Sequence, residues 1–167
     1  MKRVYFFFLL LLVGCARGGS AISAELKVGD QAPDFSTVDE LGLPVSLKDY
    51  LGQTVILYFY PKDDTPGCTI EAKSFRDDFK AFEGKKAVIL GVSYDKASSH
   101  KEFKEKYKIP FRLLVDSDKK IAASYGAQGI IFASRDTFII DPKGKIIKIY
   151  RGVNPNTHVQ EVLKDLP

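Results

Sequence analysis

Thr54-Val55-Ile56-Leu57-Tyr58-Phe59-Tyr60 is the stretch that sets the fold. It is β-branched and aromatic and almost continuously apolar. A strand with one wet face alternates polar and apolar residues. This one does not, so it predicts a central strand buried on both faces. Pro61 ends it, and residues 62–66 form a polar turn. Ile70, Ala72, Phe75, Phe79 and Phe82 then recur at helical spacing and predict a helix over 69–82, with Cys68 just inside its first turn.

Working outward, residues 87–92 read as a second buried strand and 98–107 as a helix. A strand follows over 111–115 and a short helix over 121–125. Residues 136–140 and 146–150 flank Asp141-Pro142-Lys143-Gly144, a hairpin turn. A closing helix over 156–166 takes Asn156 as its cap. Upstream, the polar residues 25–31 read as a linker. Strands that alternate with helices pair in parallel, with the helices packed over the sheet, and the hairpin adds antiparallel strands. The expectation is an α/β fold: a mixed central sheet with helices on both faces, compatible with a thioredoxin-like fold.

The chain has 167 residues, enough for one domain with a sizeable core, and 45% of them are apolar. Its first residues read as targeting. Lys2 and Arg3 precede an apolar run over 4–13. That run is too short for a bilayer span, which needs about 20 residues, and fits a secretory signal. Leu12-Val13-Gly14-Cys15 resembles a bacterial lipobox, which implies a lipid on Cys15 and a periplasmic, membrane-anchored protein. The expected division is a signal over 1–14, a linker over 15–27 and a domain over 28–167. Ordinary cleavage near residue 24 is the alternative. Removing Lys2 and Arg3 lowers the net charge from +4 to +2, with 23 basic residues against 21 acidic. So small an excess makes no electrostatic case for nucleic acid.

With Cys15 set aside, Cys68 is the one remaining cysteine, so no internal disulfide competes for it. A free cysteine is commonly an inert buried residue. Its place argues otherwise, because reactive groups collect where a central strand gives way to a helix. The helix N-terminus offers unpaired N–H groups and a partial positive charge to an anion. For any thiol, a shift from a pKa of about 8.5 to about 6 raises the thiolate fraction at pH 7 only about 30-fold. Enzyme accelerations reach at least ~10⁶. Most of any catalysis must therefore come from holding the substrate and stabilising charge on the leaving oxygen.

Tyr60-Pro61-Lys62-Asp63-Asp64-Thr65-Pro66-Gly67-Cys68-Thr69-Ile70-Glu71-Ala72 resembles the active-site segment of peroxiredoxins, in particular the bacterioferritin-comigratory-protein, or Q-type, branch. Ala32-Pro33-Asp34-Phe35 and Arg135-Asp136-Thr137-Phe138-Ile139-Ile140-Asp141 match as well. The resemblance runs from about Val28 to the C-terminus. It implies a thioredoxin-like fold and a peroxidase that reduces hydrogen peroxide and organic hydroperoxides without a cofactor. It also implies roles. Cys68 is the thiolate that becomes a sulfenic acid. Thr65 offers its hydroxyl to peroxide and thiolate. Pro61 and Pro66 shape and shield the loop. Arg135 comes beside Cys68, and Glu71 supports the site or simply favours the helix dipole. Many members of the branch carry a second cysteine five residues after the first. Here that residue is Lys73. The sulfenic acid then needs an external thiol, either a thioredoxin-like protein or a small molecule.

Rival chemistries find little support. A disulfide reductase needs Cys-x-x-Cys, and the equivalent span is Thr65-Pro66-Gly67-Cys68. A Cys–His hydrolase would need His100 or His158, and both sit in polar surroundings that read as surface. One cysteine and two isolated histidines lack metal-ligand spacing, and no phosphate loop or dinucleotide fingerprint is present. A non-enzymatic peroxide sensor, relaying oxidation from the same thiol, stays open, because relay and turnover both begin with the sulfenic acid.

Overall fold

The computed structural model describes residues 25–167. Residues 1–24, on which the expected signal and Cys15 fall, lie outside the described residues. The chain runs β1 (Ser36–Val38), β2 (Pro44–Ser46), a 3-10 turn (Leu47–Tyr50), β3 (Thr54–Phe59), α1 (Pro66–Asp77), α2 (Phe79–Gly84) and β4 (Ala87–Ser93). It continues with α3 (Ala97–Tyr107), β5 (Arg112–Val115), α4 (Lys120–Ser124), β6 (Thr137–Ile140), β7 (Ile146–Tyr150) and α5 (His158–Asp165).

Five strands form one mixed sheet in the order β5-β4-β3-β6-β7. β3 and β4 pair in parallel, as do β4 and β5; β6 is antiparallel to β3 and to β7. The central strand divides its residues between two cores, because successive side chains point to opposite faces. Val55, Leu57 and Phe59 join Leu90, Val92 and Phe138 on the face covered by α4, Tyr125 and the β1–β2 hairpin. Ile56, Tyr58 and Tyr60 join Ile89, Leu113 and Ile139 on the face covered by α1, α2, α3 and α5. Every residue of β3 is buried, as its unbroken apolar reading predicts.

One glycine is needed for this packing. Gly91 stands opposite Tyr58 in the β3–β4 register. A methyl group there would meet Leu113 and the Tyr58 ring at 2.8–2.9 Å. The absent side chain leaves room for a phenol in the cluster that surrounds Cys68.

Four expectations need correction. The helix predicted over 69–82 is two helices, which begin at Pro66 and break at Asp78. Past the break Phe82 packs on Phe75, with ring centroids 5.6 Å apart. The polar residues 25–31 are not a free linker throughout. Gly29 donates its N–H to the Ile146 carbonyl, Ile146 to that of Asp30, and Ala32 to that of Gly144. Backbone pairing covers the edge of β7 whatever the side chains are. The closing helix begins at His158, with Thr157 rather than Asn156 as its N-cap; Asn156 instead donates from its backbone and side chain to Asn154 Oδ1. His100 and His158, expected at the surface, are both fully buried. Their neighbours in sequence are polar, but each shares the inward stripe of its helix with Phe103 or Val162.

Candidate active site

The site forms at the C-terminal end of β3. Tyr60 continues the strand and donates its N–H to the Val92 carbonyl. The loop then climbs through Asp64, which adopts the left-handed φ of +56° that aspartate tolerates better than most residues. Thr65 takes the extended geometry of an N-cap (φ −85°, ψ 152°), but its side chain caps nothing. Its hydroxyl donates to the Lys62 carbonyl at 3.0 Å. Exposed Pro66 supplies the first helical residue, where no N–H is needed. Pro61 is half-buried at the strand end.

Cys68 is the third residue of α1 and only 1% exposed. Its sulfur lies in the apolar cluster with Ile56, Tyr58, Tyr60 and Ala72. Gly67 and Cys68 have no helical carbonyl four residues before them, so their N–H groups remain open to an anion at this end.

Arg135 reaches the same point from far along the chain. β6 pairs antiparallel with β3, Thr137 opposite Tyr58, so the residues before Thr137 run alongside the loop that follows β3. The Asp136 carbonyl accepts from the Phe59 N–H at 2.7 Å, and the Arg135 carbonyl accepts from Val153 at 3.0 Å. The guanidinium then points two ways. Nη2 donates to Cys68 Sγ at 3.3 Å, and Nη1 donates to Glu71 Oε2 at 2.5 Å. The arginine side chain is 16% exposed, so the pair is shielded from solvent.

Glu71 is fully enclosed. Burial raises its carboxyl to about 7, against the opposing pull of Arg135. Burial works against the charge of Arg135 too, but Glu71 and Cys68 outweigh it and hold the guanidinium above its ordinary range. Glu71 Oε1 and the Tyr58 hydroxyl are buried polar atoms without a hydrogen-bond partner. Burial, followed by the Glu71 charge, pushes the Tyr58 phenol well up.

The arrangement thus brings together Cys68, Arg135 and Glu71. It places Pro61 and Thr65 in the connecting loop and Pro66 at the first position of α1. Lys73 is exposed on α1. Other contributors were not read from the sequence. Gly67 lies beneath the guanidinium. His158 touches Thr137 Oγ1 through Nε2 at 2.8 Å, and Asp63 and His100 form a buried pair. Helical phase carries the signal for the histidines, since His100 stands three residues from Phe103 and His158 four from Val162.

A lone, shielded thiol at a helix N-terminus, gripped by a guanidinium on a thioredoxin-like sheet, is the arrangement of a thiol peroxidase. The chain belongs to the AhpC/TSA family, whose pattern matches residues 28–149. It is a peroxiredoxin, an oxidoreductase of the Bcp and Q type, and reduces peroxides at the expense of thiols. The peroxiredoxin Bcp of Bacillus subtilis is 42% identical over 149 residues, covering 84% of this chain and 95% of the relative. The putative peroxiredoxin bcp of Helicobacter pylori strain J99 is 44% identical over 150 residues, covering 85% of this chain and 99% of the relative. The crystal structure of a cysteine-to-serine variant of PrxQ from Xylella fastidiosa superposes with a TM-score of 0.82. It has 32% identity and covers 86% of this chain and 96% of that one.

Proposed function

We propose that Cys68 is the residue that carries the peroxidase reaction, with Arg135 and Thr65 as its partners. The observation that carries this reading is the 3.3 Å contact between Arg135 Nη2 and Cys68 Sγ. The thiolate attacks one peroxide oxygen, the S–O bond forms as the O–O bond breaks, and the second oxygen leaves with the electron pair. It takes up a proton and departs as water or an alcohol. Negative charge moves from sulfur to the leaving oxygen. The Arg135 guanidinium and the open N–H groups of the first turn offer donors along that path. The Thr65 hydroxyl spends its proton on Lys62, so its lone pairs are free to accept from a peroxide O–H.

The product at Cys68 is a sulfenic acid. Lys73 stands where a resolving cysteine would be, so an external thiol reduces it. Cys68 is only 1% exposed, too enclosed for a thiol donor to approach, so the first turn of α1 opens in this half of the cycle. The donor is a thioredoxin-like protein or a small thiol. The relatives' names favour turnover over a relay. The sequence of residues 1–24 supports export to the bacterial periplasm with lipid on Cys15, which predicts membrane partitioning that Cys15→Ala abolishes.

The test is peroxide consumption by the purified protein with excess dithiothreitol, wild type against Cys68→Ser. Loss of activity in the variant supports the assignment; equal consumption by the two would end it.

A further inference from the structure

The catalytic loop is tied down at one buried point. Asp63, two residues before Thr65 and five before Cys68, is only 6% exposed. Its carboxylate accepts three hydrogen bonds: from the Tyr60 hydroxyl at 2.7 Å, the Ser99 hydroxyl at 2.7 Å and His100 Nδ1 at 2.9 Å. Its backbone N–H donates to Asp95 Oδ2 at 2.9 Å, and Ser93 donates to the same oxygen at 2.7 Å. His100 is fully buried, and its other nitrogen, Nε2, lies 3.1 Å from the Leu114 carbonyl of β5. Both ring nitrogens therefore face acceptors. The loop after β3, the end of β4, the inner face of α3 and strand β5 all meet at this pair. The neighbouring Asp64 also reaches α3, bonding to Lys106 and Tyr107, but that contact is on the surface.

Stability alone is a weak explanation for such a cluster. Replacing both partners of a buried hydrogen bond with packed apolar groups is often nearly neutral or stabilising, and the same holds for buried ion pairs. What the pair supplies, and an apolar plug would not, is one fixed position for the loop. Peroxide attack depends on that position, since displacements of about 1 Å can cost about 10²-fold in rate.

We propose that Asp63 and His100 clamp the catalytic loop, and that His100 is a positioning residue for peroxide attack at Cys68. It makes no hydrogen bond to Cys68 or Arg135 and acts through Asp63. The clamp bears on the peroxide half of the cycle, which needs the loop closed. It does not aid the thiol half, which needs the first turn open. The proposal rests on Cys68 being the peroxidatic residue.

The test measures the two halves separately in the full-length protein. Cys68 oxidation by hydrogen peroxide is followed in a single turnover by rapid alkylation and intact mass. Reduction of the sulfenic form by dithiothreitol is followed in the same way. His100→Phe keeps the ring volume and removes both nitrogens; His100→Gln keeps one donor; Asp63→Asn keeps the shape of its partner. Oxidation of His100→Phe should slow by about tenfold or more per folded molecule, and His100→Gln should recover part of the loss. Reduction should be unchanged or faster. Pairing His100→Phe with Asp63→Asn should be no slower than the slower single variant, as expected for one shared device. Oxidation within twofold of wild type in folded variants, or multiplicative losses in the double variant, would overturn the proposal. If His100→Phe does not fold, His100→Gln, Asp63→Asn and their double variant carry the same comparison. Failure of the wild type itself to oxidise at Cys68 would instead strike at the underlying assignment.

Discussion

Gly67 lies directly beneath the guanidinium of Arg135: a methyl group on its Cα would stand 3.2 Å from Nη2 and 3.5 Å from Pro155 Cγ. Gly67→Ala therefore requires the arginine to give by a few tenths of an ångström, while the proline stays in ordinary contact. Helix propensity pulls the other way and favours alanine by up to about 1 kcal/mol. The expected outcome is a protein at least as stable as wild type whose peroxide reaction is about tenfold slower. Thermal melting with single-turnover oxidation checks it, and an unchanged rate would mean that the guanidinium has slack.

Arg135 makes two separate donations from one planar group. Lysine carries the charge but lacks that fork. Arg135→Lys should lose about 10²-fold in peroxide reactivity, and Arg135→Ala at least as much, in line with the loss of one preorganised donor at a developing anion. Both should remain folded: lysine still offers Glu71 a charge, and in Arg135→Ala burial lets Glu71 take up a proton. Kinetics and circular dichroism on both variants decide the point. If lysine restores full activity, the fork is irrelevant.

Two buried groups predict opposite pH slopes of stability. Glu71 is raised from 4.5 to about 7, so the native state holds its proton more tightly than the unfolded chain, and stability falls as pH rises from about 4.5 to 7. His158 is lowered from 6.5 to about 4, chiefly by burial and also by Arg135, so the unfolded chain binds that proton more tightly and stability rises from about pH 4 to 6.5. One proton on each side corresponds to about 1.4 kcal/mol per pH unit. Between about pH 4.5 and 6.5 the two slopes nearly cancel. Urea unfolding across that range should therefore show the rising slope in Glu71→Gln and the falling slope in His158→Gln. Parallel profiles for the two variants would contradict the assignment.

The Tyr58 hydroxyl is buried without a partner and lies over Gly91. An unsatisfied buried hydroxyl costs about 1–3 kcal/mol, so Tyr58→Phe should leave stability unchanged or raise it. Gly91→Ala should cost about 1–3 kcal/mol through overpacking, and adding Tyr58→Phe should return part of it. A melting series on the single and double variants tests both statements.

The sequence shows the sheet and the site to different depths. β3 is legible because six buried residues in a row leave no polar alternation, and the β6–β7 hairpin because Asp141 and Gly144 spell its turn. The β1–β2 hairpin is not, since three-residue strands carry no period. Thr65 and Cys68 stand in one motif and Arg135 in a second, and both can be read as strings. The Asp63–His100 pair cannot be read so, because it joins residues 37 apart through the packing of α3, and polar neighbours mask the inward phase of His100. Residues 29–32 escape for another reason. They are held by backbone bonds to β7, to which side-chain chemistry gives no clue.

Lys73, exposed on the outer side of α1, has a consequence for the lifetime of the molecule. A chain with a second thiol at that point can bury its oxidised state in a disulfide within its own fold. Here the sulfenic acid waits for a donor and stays open to a second peroxide, which carries it on to the sulfinic acid, a dead end without dedicated repair. Two rates compete for each oxidised molecule, and their ratio fixes how many turnovers it completes. When peroxide outruns the donor thiol, the enzyme behaves as a fuse: it falls silent in proportion to the excess.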